Sequence, residues 1–124
     1  MVSILLVDDH RMMRSGLRRL LEDEPDFRVV GEASNAAEAL SFVRSKAVDV
    51  VLLDIYMDPG ETGLQVLPKL KQARALCVIV LSMDGARNTI EKARIAGADG
   101  YIAKEKAPDD LISAIRKCAW KTGT

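Results

Sequence analysis

The chain has 124 residues, enough for one domain with a core of its own. Apolar residues make up 48% and charged residues 29%, which excludes a disordered chain. Lys plus Arg and Asp plus Glu stand at 18 each, a balance that gives no support to direct nucleic-acid binding.

The opening "MVSILLVDDH" carries an apolar run too short for a signal peptide or a membrane span, so a cytoplasmic protein is expected. Within that run Ser3–Val7 reads as a first strand that stops at Asp8. A helical spacing of Met13, Leu17, Leu20 and Leu21 follows. Arg28–Gly31 reads as a second strand, and Asn35 as the cap of a helix bearing Ala36, Ala39, Leu40 and Val43. Asp49–Leu53 is a third strand, apolar on both faces, running straight into Asp54. The next helix passes through Leu64, Leu67 and Leu70, with Pro68 placed to kink or shorten it.

Cys77–Leu81 is the fourth strand, followed by a helix through Ile90, Ala93 and Ile95 that ends at Gly97. Gly100–Ala103 is the fifth strand, and Pro108 opens a last helix with Leu111, Ile112 and Ile115 on one face. Cys77 and Cys118 are far apart and lack metal-ligand spacing, so they are expected to be reduced packing residues. Five such units, with near-continuous Val/Ile/Leu strands between helices, predict an α/β fold. The expected form is a single (βα)5 doubly wound, five-stranded parallel sheet in the order 2-1-3-4-5.

In such a sheet, ligands sit beyond the carboxyl ends of the strands. The predicted strand ends place Asp8 and Asp9, Asp54, Ser82 and Lys104 on that one edge. Three clustered carboxylates repel and raise one another's pKa unless a cation joins them. Mg2+ suits the role, because it prefers oxygen ligands and keeps waters for an incoming phosphate. A buried carboxylate at the end of an apolar strand is otherwise costly.

The set "LLVDDH", the "LLDIYM" that contains Asp54, "VIVLS" and "GADGYIAK" resembles the receiver domain of two-component response regulators, over essentially the whole chain 1–124. The form with "LSM" and "GADGYIAK" is similar to receivers of the LuxR/FixJ-type transcription factors. The resemblance implies that Asp54 accepts a phosphoryl group from a sensor histidine kinase or phosphotransfer domain. Asp8, Asp9, Asp54 and the main-chain carbonyl of Tyr56 would hold Mg2+. Lys104 would pair with the phosphoryl oxygens, Ser82 would turn its hydroxyl toward them, and Tyr101 would rotate inward, changing the face of the fourth helix, fifth strand and fifth helix. Asp84 is a candidate influence on acyl-phosphate hydrolysis.

The chain departs from the family pattern in two places. Pro59 and Gly63 fall five and nine residues after Asp54, where family members commonly have four and eight, so the loop holding Asp58 has one extra residue. Glu105 stands where Pro often follows the family lysine.

Structural roles stand beside these. Asp8 or Asp9 can cap the first helix, Ser82 the fourth, and Tyr101 can be a fixed edge aromatic. His10, next to the acids, invites a metal role but is expected to be a partly exposed start of the first helix, and Met12, Met13, Met57 and Met83 packing or loop residues. Trp120 either covers the last helix or joins a dimer face. A haloacid-dehalogenase-type hydrolase would need a second Asp where Tyr56 stands, and a flavin or nucleotide module would need a Gly- or Thr-rich loop where "DDHRMMRSG" stands. The chain is expected to hold the receiver alone. DNA would be reached only through an output domain outside it, or the receiver would act by itself through protein contacts or in a phosphorelay. Its tail "KTGT" reads as the start of a linker, and phosphorylation could produce a homodimer.

Overall fold

The structure is a computed structural model that describes residues 1–57, 60–83 and 87–121, excluding the side chains of residues 120 and 121. Asp58, Pro59 and Asp84 and the side chain of Trp120 therefore lie outside the described residues.

Strands and helices alternate in chain order: β1 Val2–Val7, α1 Arg11–Glu22, β2 Phe27–Ala33, α2 Ala36–Ser45, β3 Val50–Asp54, α3 Gly63–Ala73, β4 Cys77–Ser82, α4 Arg87–Ala96, β5 Gly100–Ala103 and α5 Ala107–Lys121. A single 3-10 turn, Lys104–Lys106, joins β5 to α5. The strands form one parallel sheet in the order β2-β1-β3-β4-β5, as the alternation of elements predicts.

The two-residue period of the strands divides the core between two faces. Leu5, Val7, Val51, Leu53, Val78 and Val80 pack with α2, α3 and Ala93 of α4 on one side. Ile4, Leu6, Val50, Leu52, Ile79 and Leu81 pack with Leu17 and Leu21 of α1 and Leu111 and Ile115 of α5 on the other. Each inner strand is thus apolar on both faces, which explains runs such as Val50 to Leu53 that do not alternate.

Helix ends follow side-chain chemistry. Asn35 caps α2 by accepting the Glu38 N–H at 2.9 Å, while Glu38 Oε1 accepts the Ser34 N–H at 2.7 Å. Thr62 and Gln65 form a capping box on α3, each side chain accepting the other's backbone N–H. Such a cap contributes about 1 kcal/mol, and α3 runs through Pro68 without stopping. Gly97 has φ +111° and ends α4 with the paired bonds Gly97 N–H to Arg94 and Ala98 N–H to Ala93, a Schellman motif.

Two expectations need correction. Asp49 precedes β3 rather than opening it, and its carboxylate accepts the Ser3 N–H at 2.8 Å, pinning the start of β1. Cys77 and Cys118 are not separate thiols; they are joined as a disulfide across 6.0 Å between Cα atoms. The parallel sheet brings the start of β4 beneath the last turns of α5, which sequence separation could not reveal.

Candidate phosphoacceptor site

The carboxyl ends of β1, β3, β4 and β5 meet at one edge, and the residues there are unusual for their burial. Among the described residues, the buried polar or charged side chains are Asp8, Asp54, Ser82 and Lys104. All four were singled out from strand ends, and the fold brings them to the same edge. Asp54 and Ser82 are the last residues of β3 and β4, and Lys104 starts the turn after β5.

Lys104 Nζ lies 3.0 Å from Asp8 Oδ2 and 3.4 Å from Asp54 Oδ2. Burial works against its charge, but the ion pair and hydrogen bond with Asp8 and the charge of Asp54 outweigh it and raise the Lys104 pKa. Burial also raises Asp54, helped by the charge of Asp8 and opposed by Lys104 and by the Tyr56 N–H, which donates to Asp54 Oδ1 at 3.4 Å. The result is a carboxyl pushed up to about 6, still ionised in neutral solution.

Asp8, Asp9, Asp54 and His10 each offer a ligand atom, and these atoms all lie within 4.8 Å of one another. Asp8 Oδ2 is buried and faces the Lys104 ammonium at 3.0 Å, while Asp8 Oδ1 and Asp9 Oδ1 lie 3.1 and 3.0 Å from His10 Nδ1, so the carboxylates crowd together with cationic or protonatable groups as their counterparts. An oxygen-rich donor set of this kind fits Mg2+.

His10 belongs nearer to the site than the sequence suggested. Its side chain is 69% exposed, as a helix start would be, but Nδ1 sits 3.1 Å from Asp8 Oδ1 and 3.0 Å from Asp9 Oδ1. Its backbone N–H also donates to Asp8 Oδ1 at 2.8 Å, so Asp8 fixes the turn into α1. Arg14 was also missed. From α1 it donates to the Asp8 carbonyl and to Glu32 Oε1, tying the acidic turn to β2. No periodicity signals such a contact.

Tyr101 stands apart from the carboxylates. It lines a cavity of about 170 Å3 with Ile90, Ala93 and Arg94 of α4, and packs partly buried against the core. Tyr56 is 55% exposed and follows Asp54 by two residues. Of the methionines, Met57 is buried in the core, whereas Met12 and Met83 are exposed.

Gly63 brings the start of α3 directly against the end of β3. Its N–H donates to the Ile55 carbonyl at 2.7 Å, and a Cβ built on it would lie 2.3 Å from the Asp54 carbonyl oxygen. The neighbour is backbone and cannot yield cheaply. Gly63→Ala is expected to cost about 3 kcal/mol by overpacking, read as a lower urea midpoint.

The comparisons agree with this geometry. The family model of the response regulator receiver domain matches residues 4–116, and the chain belongs to that family of signalling domains. It is 44% identical over 117 residues to Response regulator UvrY of Escherichia coli (strain K12), covering 94% of this chain and 53% of that protein. It is 40% identical over 119 residues to the nitrate/nitrite response regulator protein NarL of the same strain, covering 94% and 54%.

Among solved structures, a two-component response regulator of the LuxR family from Aurantimonas sp. SI85-9A1 superposes with a TM-score of 0.90 at 35% identity, covering 96% of this chain and 85% of that one. A DNA-binding response regulator of the LuxR family from Staphylococcus aureus does so with a TM-score of 0.87 at 29% identity, covering 96% and 99%. These relatives place the receiver within the LuxR/FixJ type. The chain spans about half the length of the curated relatives it matches. Among the described residues, no helix is long and apolar enough to cross a membrane.

Proposed function

We propose that the chain receives a phosphoryl group on Asp54 from a phosphohistidine of a sensor kinase or phosphotransfer domain, and passes the change to an output. The observation that carries this is the buried set Asp8, Asp54, Ser82 and Lys104 at the carboxyl edge of apolar strands. An ionised nucleophile with a lysine already 3.4 Å away has no evident structural purpose there.

The residues divide the work. An Asp54 carboxylate oxygen attacks phosphorus while the phosphorus–nitrogen bond of the donor breaks, leaving an acyl phosphate. The Tyr56 N–H holds Asp54 Oδ1 and so orients the carboxylate. Lys104 already bridges Asp8 and Asp54 and is positioned to accept the charge of the transferred group. Asp8, Asp9, Asp54 and the Tyr56 carbonyl would hold Mg2+, which when bound neutralises phosphoryl charge in a transfer governed by positioning. Ser82, fully buried at the end of β4, supplies a hydroxyl to the new phosphoryl oxygens. Tyr101 then moves within its cavity against α4, converting added charge into a change of surface.

The same site would assist hydrolysis of its own acyl phosphate. The LuxR-type relatives, one of them named as a DNA-binding response regulator, favour transcription as the output, through a DNA-binding domain outside these residues. A cytoplasmic location and dimerisation on phosphorylation belong to the same proposal. Intact mass after incubation with acetyl phosphate tests the reading. A gain of one phosphoryl group with Mg2+, lost on chelation, is expected; uptake unaffected by chelation would overturn the metal assignment.

A further inference from the structure

Cys77 opens β4 and Cys118 lies in the last turns of α5; both are buried, and the structure joins them. Cys77 pairs in register with Val50, at the start of β3, whereas Asp54 ends that strand. The bond therefore lies at the opposite edge of the sheet from the carboxylates. Its 41-residue span takes in β4, α4, β5 and much of α5, and with them Ser82, Tyr101 and Lys104.

We propose that Cys77 and Cys118 are a reversible dithiol–disulfide modification site that fastens the two ends of this segment. The importance of the segment for switching rests on the function proposed above, but the chemistry of the pair does not. The oxidant is a small-molecule disulfide. One cysteine thiolate attacks it and releases one thiolate; the second cysteine then attacks the mixed disulfide and releases the other. Two cysteine thiols lose two electrons, one external disulfide becomes two thiols, and the two cysteine protons pass to the released thiolates.

Asp99 lies near both sulfurs and completes a three-residue cluster of metal-ligand types. Its Oδ2 is committed, however, accepting Lys71 Nζ at 2.6 Å and the Val78 N–H at 2.9 Å. That leaves the two sulfurs to each other.

The folded chain would be equilibrated in reduced and oxidised glutathione at a series of ratios, alkylated, and weighed intact. The expected result is a single transition between a doubly alkylated form and an unalkylated form lacking two hydrogens. The thermal midpoint should rise on oxidation by on the order of 10 °C, and a Cys77→Ser, Cys118→Ser double variant should show no redox-dependent shift. Two alkylated cysteines at every ratio would overturn the proposal. So would a glutathione adduct that never resolves, or a bond that stays closed in excess reductant. None of these readings depends on whether Asp54 is phosphorylated.

Discussion

Asp54→Asn is expected to abolish phosphoryl uptake and, in Mg2+-free solution at about pH 8, to stabilise the fold. Asp54 has a carboxyl pKa of about 6 in the folded protein against 3.8 as an ordinary carboxyl. Its folded pKa is raised, so the folded state binds its proton more tightly than the unfolded state does. The ionised form therefore opposes folding, a cost that grows as pH rises through this window and is fully present above it. Two units correspond to about 3 kcal/mol. Asn keeps the shape and still needs hydrogen-bond partners, so the expected gain is about 2 kcal/mol. Near pH 4, where the wild-type carboxyl is largely protonated in the folded state, most of that gain should vanish. Urea midpoints at the two pH values check this; a variant destabilised at about pH 8 would mean that Lys104 over-compensates the burial of Asp54.

Lys104→Met should act in the opposite direction. The ammonium is the cation that Asp8 and Asp54 face, at 3.0 and 3.4 Å. Removing it leaves two buried carboxylates without their counter-charge, and breaking a buried pair from one side costs about 3–5 kcal/mol. Loss of Lys104 pushes Asp54 further up, so protonation relieves the strain sooner. The destabilisation should be large at about pH 8 and much smaller at about pH 5. Equal losses at both pH values would show that the lysine serves as packing rather than as charge. Phosphoryl uptake should fall in the variant even where it remains folded.

The site was legible because its residues interrupt strong patterns. Asp54 ends a run of four apolar residues, Asp8 follows another, and Lys104 follows β5; because alternating strands and helices imply a parallel sheet, these strand ends fall at one edge. The fold followed from the same alternation. What remained hidden depends on side chains meeting across the fold. Arg14 reaches Glu32 and the Asp8 carbonyl, Lys71 reaches Asp99, and Cys77 meets Cys118, each across an element boundary that no local spacing encodes. His10 was set aside as a partly exposed helix start, and the turn that folds its ring back on both acids was not foreseen.

Thr62 differs from these. Its capping box was present in the sequence as Thr62-Gly63-Leu64-Gln65 and could have been read. It would have dated the start of α3 and shown that Gly63 opens the helix. The close approach of Gly63 to the Asp54 backbone follows from that position.

The central claim is that Asp54 is the phosphoacceptor, and borohydride reduction after treatment with acetyl phosphate and Mg2+ tests it most directly. Reduction converts an aspartyl phosphate into homoserine, which peptide mass spectrometry can locate. The account predicts homoserine at position 54 and nowhere else, dependent on Mg2+. Homoserine at position 8 or 9, or phosphate retained on Ser82 instead, would contradict it.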